Sequence, residues 1–416
     1  VTQNVTSQGA RRHSAHHGEV GVLVNLDQKL DILVPAANYD ACDTHAVSGR
    51  RYTSKRATWR DMPIGSETLA DGKRRPVVQL LQSAECVFNC PYCPLRADRD
   101  VPRATLSAEE MAAAAAPQLK HHDAGLLLSS AVTGSPDQAA TALVDGAHIL
   151  RTRHQFAGYV HLKLPPGVSH AVIEAAARVA DRLSLNMEVP SAAHQERLDA
   201  SRDWRKDVVA RLAWMRDFKQ AGLLKAGIAT QFVVGAAGES DRDLVLATQW
   251  LHQELAVSRV YYAAFQPIAD TPMAGHARTP AVRGQRLLQA DWLLRHYHFR
   301  AEELAFDAGH NLALAHDPKL AWALQHPERF PVEINVASYE HLLRVPGLGP
   351  LSAKRIVRLR GLGRLREPAH IALLGAAATR IIDFVTFDGR YFGMGASYKK
   401  ARRDALNPIA EQLKMW

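Results

Sequence analysis

Between Pro76 and Phe265 the sequence alternates short apolar runs with longer segments of helical spacing, six times over. The apolar runs are Pro76–Ala84 (PVVQLLQSA), Gly125–Ser130 (GLLLSS), Gly158–Leu164 (GYVHLKL), Arg182–Val189 (RLSLNMEV), Gly227–Gly235 (GIATQFVVG) and Arg259–Phe265 (RVYYAAF). Their length and β-branched or aromatic content predict strands. Helices are predicted after Thr105–Glu109, where Pro117 should end or kink the Ala-rich run, and over Pro136–Arg153, Ser169–Val179, Lys206–Ala221 and Ser240–Leu255. Consecutive strands joined by helices must run parallel through right-handed crossovers. That restricts the fold to an α/β class whose chemistry sits at the carboxyl ends of the strands.

The first predicted strand ends in Cys86-Val-Phe-Asn-Cys90-Pro-Tyr-Cys93. Three thiols in one short loop, in a chain with four cysteines, read as a metal site for zinc or an iron-sulfur cluster. Structural zinc usually pairs two C-x-x-C halves, and the candidates for a second half are Cys42 and His45. A disulfide framework does not match three cysteines in one turn-sized loop. A structural four-cysteine cluster would need another ligand nearby, and none follows Cys93. Three ligands leave one coordination position open, which is what separates a catalytic metal from a structural one.

The fourth strand has one polar face. Side chains alternate along a strand, so Ser184, Asn186 and Glu188 share a side while Leu183, Leu185, Met187 and Val189 share the other. Polar groups inside a barrel need partners, either a bound ligand or a network across the barrel. His161 and Lys163 on the third strand, and Tyr261 or Tyr262 on the sixth, occupy positions where a substrate can be met or a core satisfied.

A second motif lies at 342–356, LLRVPGLGPLSAKRI. It predicts two helices joined by Pro346-Gly347-Leu348-Gly349. Gly347 and Gly349 let backbone N–H groups crowd outward beside the second helix's positive dipole end, an arrangement suited to a phosphate. Lys354, Arg355, Arg358 and Arg360 add positive charge. Such contacts hold a nucleic-acid backbone without reading its sequence. The same pattern also serves a plain αα-hairpin or a protein-docking module. Residues 365–393 are a candidate for a second, degenerate hairpin, and Lys399, Lys400, Arg402 and Arg403 extend the basic surface. The net charge of +9 permits an anionic partner. No run is apolar enough to span a bilayer, and the polar N-terminus lacks a secretory pattern, so the expected location is cytoplasmic with no membrane partner.

The C-x-x-x-C-x-x-C spacing resembles that of the radical S-adenosylmethionine (SAM) enzymes. With the hairpin, and with LLLSSAVTGSPD, GYVHLKLPPG, RLSLNMEVPS, TQFVVGAAGESDRD, VYYAAFQPI, QADWLLRHY and PVEIN, the chain resembles the radical SAM proteins grouped under DNA modification or repair, from about Lys29 to about Tyr391. The resemblance implies a partial (βα)6 TIM-type barrel with an α-helical C-terminal helix-hairpin-helix domain. It implies a [4Fe-4S] cluster on Cys86, Cys90 and Cys93, and SAM on its open iron. The ribose would meet Asn186 and Glu188, and the SAM amino group the Ser129-Ser130 turn, where alanine follows instead of the family's glycine. Adenine would meet the Tyr92 backbone and the region of Gly235 and Glu239. DNA would bind at Gly347, Gly349, Lys354, Arg355 and Arg358. A flavodoxin or ferredoxin would supply electrons. The expected layout is a disordered tail (1–20), an N-terminal extension (21–75), the barrel (76–270), a helical connection (271–335) and the hairpin domain with its basic tail (336–416). Two other readings stay open: a radical SAM enzyme acting on RNA, a metabolite or a peptide, and a non-enzymatic DNA-binding protein with a structural metal.

Overall fold

The computed structural model describes residues 25–37, 64–68, 74–372 and 378–393. The expectations for the N-terminal tail, Cys42, His45 and the basic segment after residue 394 lie outside the described residues.

Seven strands form one sheet in sequence order. β1 (Ile64–Thr68) is antiparallel to β2 (Arg74–Leu81), and then β3 (Gly125–Ser129), β4 (Val160–Lys163), β5 (Arg182–Ser184), β6 (Gly227–Val234) and β7 (Val257–Ala264) follow in parallel. Six parallel strands ordered as in the sequence make a partial TIM-type barrel; the parallel sheet is what the alternation predicts, and the partial barrel is what the resemblance implies. The sheet starts earlier than expected, because β1 joins it from the segment assigned to the extension.

α1 (Leu26–Ala37) packs on β2 and pairs Lys29 with Glu110 at 2.8 Å. The crossovers are α2 (Ala108–His122), α3 (Pro136–Thr152), α4 (His170–Val179), α5 (Ala192–Asp199) with a π-helix (Trp204–Val209) leading into α6 (Ala210–Gln220), and α7 (Asp241–Glu254). α8 (Ala281–His296) follows β7. Ser107, Ser135, Ser191 and Ser240 cap α2, α3, α5 and α7 with their side chains, whereas Ser169 at the start of α4 makes no such bond. Ser107 and Glu110 form a capping box on α2, as do Ser240 and Asp243 on α7. Pro117 does not end α2. It sits inside the helix, which runs on to His122.

Strand alternation separates two layers. Val78, Leu80, Leu126, Leu128, Val160, Leu162, Leu183 and Ile228 are buried against the helices. Val77, Leu127, Tyr159, Ala229 and Tyr261 form a distinct cluster on the opposite face, inside the curve of the sheet. His161 shares the inner parity, and its Nε2 lies 2.7 Å from Ser184 Oγ. Tyr262 has the other parity and faces the helices, its hydroxyl 2.6 Å from Thr248 Oγ1.

β5 ends early. Its ladder stops at Ser184, the chain rejoins β6 at a bridge between Glu188 and Phe232, and Glu188 itself takes φ +63°. A non-glycine residue in the left-handed region is held there by its surroundings. Leu185 and Met187 are buried in the main core as predicted, whereas Val189, which follows the left-handed Glu188, joins a different cluster with Ala236, Ala237 and Phe265.

Beyond α8 come α9 (Pro318–Gln325), β8 (Val332–Glu333), α10 (Tyr339–Arg344), α11 (Pro350–Leu359), α12 (Pro368–Ala372), α13 (Ala378–Ile381), β9 (Val385–Phe387) and β10 (Arg390–Tyr391). The region is not purely helical, because β10, β9 and β8 form a second sheet in that order. The Glu333 carboxylate ties it together, accepting from Asp388 N (3.1 Å), Gly389 N (2.9 Å) and Thr386 Oγ1 (2.9 Å). Among the described residues no helix is long and apolar enough to cross a membrane.

Candidate metal centre

The cysteine loop leaves β2 and is fixed at its base. Ala84 N donates to Ala104 O (3.0 Å) and Val87 N to Val132 O (2.8 Å). Arg103 binds the loop from one side. Its Nη1 donates to Ala84 O (2.6 Å) and Leu95 O (3.1 Å), and its Nη2 to Arg96 O (2.6 Å) and Arg99 O (2.9 Å). One guanidinium thus satisfies four carbonyls of the loop, of which Arg96 O also accepts from Arg99 N (3.2 Å).

All three thiols are free, and each accepts a hydrogen bond. Phe88 N lies 3.4 Å from Cys86 Sγ and Leu95 N 3.4 Å from Cys93 Sγ. Cys90 receives Arg202 Nη2 at 2.7 Å instead. Burial pushes the Cys90 thiol up to about 12 against the pull of Arg202, and the Cys93 thiol up to about 11. Both titrations respond to the neighbouring cysteines, so the sulfurs lie within electrostatic reach of one another. Among the described residues no three His, Cys, Asp or Glu side chains are grouped as ligands of a single metal ion.

The second part of the site comes from beyond β5. Glu188 is buried, Asn186 Nδ2 donates to its Oε1 (3.1 Å), the Tyr92 hydroxyl is turned to the carboxylate, and among the described residues its Oε2 is left without a well-placed hydrogen bond. Burial raises the Glu188 carboxyl, opposed by Lys163 and Arg202. Burial and the Glu188 charge together hold the Tyr92 phenol well above the usual range. Arg202 Nε is likewise buried without a hydrogen bond, 3.7 Å from Asp199 Oδ2. Tyr92 also packs on the apolar cluster of Val189, Ala236, Ala237 and Phe265, so Cys90, Tyr92, Asn186, Glu188 and the turn after β6 share one end of the barrel.

The remaining predicted residues fall into different roles. Ser129 Oγ is buried and unpartnered, as a residue awaiting a ligand would be. Ser130 Oγ is engaged with Gln82 Oε1 (2.8 Å) and Ala131 O (2.5 Å). Gly235 has φ +88°, and a Cβ there would lie 2.0 Å from Thr279 Oγ1, so only glycine fits. Glu239 departs from its expected role. Its carboxylate turns back to accept from Gly235 N and Ala237 N (3.0 Å), closing the turn. It shapes the surface that Ala236 and Ala237 present, and its charge is already spoken for.

Arg202 and Arg103 were not singled out from the sequence. Arg202 stands in the polar string ASRDWRKD, and nothing there points to a cysteine 112 residues away.

The 347–358 residues form a separate set. Gly347 has φ +87°, and a Cβ on it would come within 3.0 Å of Arg380 and Ile381. Gly349 is the N-cap of α11 and offers no side-chain cap. Lys354, Arg355 and Arg358 are exposed on that helix. Arg360 is committed elsewhere, donating to Ile334 O (3.2 Å) and Ala337 O (2.6 Å). Within 365–393, the candidate for a second hairpin, lie α12 and α13, and the residues between them lie outside the described ones.

No family model matches the chain, and no curated protein matches it. Solved structures do. A methylornithine synthase aligns over 66% of this chain and 74% of its own, with 15% identity and a TM-score of 0.43. The hydrogenase maturase HydG from Carboxydothermus hydrogenoformans covers 52% of this chain and 51% of its own, at 15% identity and 0.42. A radical SAM methyltransferase from Sphaerobacter thermophilus covers 55% and 70%, at 16% identity and 0.37. Scores of this size assign no function.

Proposed function

We propose that the chain is a radical SAM enzyme, with a [4Fe-4S] cluster on Cys86, Cys90 and Cys93 and SAM beside it. The observation that carries this is the pairing of a three-thiol loop with orphaned buried polar atoms next to it. Among the described residues Glu188 Oε2 and Arg202 Nε are buried without a well-placed hydrogen bond, with the Tyr92 hydroxyl near the Glu188 carboxylate and Asp199 3.7 Å from Arg202 Nε. A ligand bearing an α-carboxylate, an α-ammonium and ribose hydroxyls supplies partners to both, which a structural metal alone does not. When bound, the cluster and SAM supply a 5′-deoxyadenosyl radical that takes hydrogen from a substrate. The protein's part is to bind and to shield. Asn186 and Glu188 offer the polar wall, Ala236 and Ala237 a low apolar surface, Tyr92 the floor of the cysteine loop, and Ser129 a further hydroxyl.

The substrate we propose is a nucleotide in DNA, held at α11 and exposed from the stack to reach the barrel mouth. This is supported by the left-handed Gly347, the uncapped start of α11 and the exposed Lys354, Arg355 and Arg358. Flavodoxin or ferredoxin is the proposed electron donor.

Electron paramagnetic resonance on anaerobically reconstituted, reduced protein tests the cofactor reading. A four-iron signal that changes on adding SAM and is lost in Cys90→Ala supports it; zinc, or a cluster blind to SAM, sinks it. Gly347→Asp with Lys354→Glu should weaken DNA binding and flatten its salt dependence by about one phosphate contact. Unchanged affinity and slope would remove DNA and leave RNA, a metabolite or a peptide as the substrate.

A further inference from the structure

The three cysteines do not sit in equivalent surroundings. Cys86 and Cys93 each take a neutral backbone N–H from the residue two positions on, Phe88 and Leu95, at 3.4 Å. Cys90 takes a guanidinium N–H at 2.7 Å, from a residue 112 positions away. A hydrogen bond from a cation is about twice as strong as one from a neutral donor. Cys90 is also the most buried of the three, at 5% exposure, where the charge of a neighbouring cation is least screened.

Arg202 is held in place from several sides. It follows α5, whose last residue, Asp199, sets a carboxylate oxygen 3.7 Å from its Nε. Its guanidinium carbon lies 5.3 Å from the centre of the Phe88 ring, on the cysteine loop itself. Trp204, two residues on, anchors the segment by donating Nε1–H to Val189 O (3.2 Å) and stacking on Trp250. These contacts fix the arginine against one sulfur.

We propose that Arg202 is a positioning residue that acts through Cys90 to set the reduction potential of the metal centre. This rests on the cluster reading above. Adding an electron to an iron-sulfur cluster raises the negative charge on its cysteine sulfurs, and hydrogen bonds to those sulfurs favour the reduced state. Arg202 therefore makes the cluster easier to reduce, and does so before SAM arrives. The asymmetry lies in the donors: Cys90 takes its hydrogen bond from the Arg202 guanidinium and Cys86 and Cys93 take theirs from backbone N–H groups, while the Arg202 charge also reaches Cys93.

The test is a redox titration of reconstituted wild-type protein and Arg202→Met, without SAM, followed by paramagnetic resonance, with dithionite supplying the single electron. Both proteins should take up the same iron. The Arg202→Met midpoint should move to more negative potential, so that at the poise that half-reduces the wild type its reduced signal falls roughly tenfold. Arg202→Gln, a neutral donor, should fall between them, and carries the same comparison where Arg202→Met binds no iron. Superimposable titrations at equal iron content overturn the proposal and leave Arg202 as a strut or a ligand contact. A wild type that takes up no cluster overturns the cofactor reading itself, so the two failures are distinct.

Discussion

Replacing Arg103 with methionine keeps the aliphatic stem and removes the guanidinium that binds Ala84, Leu95, Arg96 and Arg99 carbonyls at 2.6–3.1 Å. Hydrogen bonds from a charged donor contribute about 1.5–3 kcal/mol each, so four set a ceiling of about 6–12 kcal/mol. Arg103 is only half-buried, and water can reach the released carbonyls. We therefore expect a loss of about 2–4 kcal/mol, felt in the loop rather than throughout the barrel. The strand ladders do not depend on Arg103, whereas the spacing of Cys86, Cys90 and Cys93 does. Hydrogen exchange should show protection falling across 86–99 while β3 and β6 stay as they are, and iron uptake on reconstitution should fall with it. Unchanged protection in 86–99 would refute the argument that one side chain organises the loop.

Two further outcomes follow from charges elsewhere. Asp291 is fully buried between α7 and α8, accepting from His252 Nε2 (2.6 Å) and from Arg295 Nε (2.9 Å) and Nη2 (2.5 Å). Asp291→Asn leaves two donors without their anion and should cost about 3–5 kcal/mol in denaturant unfolding; a loss below 1 kcal/mol, on the order of an exposed pair, would mean the triad is solvated. The Glu333 carboxyl is held down at about 2 by the backbone and side-chain donors around it. Because its folded value lies below the ordinary 4.5, its stabilisation is present above pH 4.5 and is lost as pH falls towards 2. Acid titration of wild type and Glu333→Gln should show curves that differ above pH 4.5 and converge near pH 2; curves that run parallel throughout would exclude the linkage.

What the sequence disclosed was local or periodic. The six strand-helix alternations set the barrel, and the cysteine spacing placed three thiols in one loop without any knowledge of tertiary contacts. Alternation also singled out Asn186 and Glu188 beyond the end of β5, though the left-handed Glu188 interrupts the parity and Val189 joins a different cluster from Leu185 and Met187. Long-range commitments were hidden. Arg202 reaches Cys90 from 112 residues away, and Glu239, whose type matches a ligand contact, spends its carboxylate on its own turn. Pro117 reads as a breaker, yet the helix continues through it to His122. β8 to β10 have three residues or fewer each, too short for any period to declare itself.

The hairpin is bolted to the helices behind the barrel rather than strung from them. Lys319 Nζ on α9 donates to Leu348 O inside the turn (2.5 Å) and lies over the Tyr297 ring at the end of α8 (4.5 Å). Arg344 on α10 reaches Glu303 (3.1 Å), and Arg380 on α13 reaches Asp317 (2.5 Å). These ties fix α11 at a set distance and angle from the cysteine loop. With the substrate held at α11 as proposed, such a mount would act as a ruler: the reacting position would be selected by its offset from the grip, and lengthening the connection would move that position.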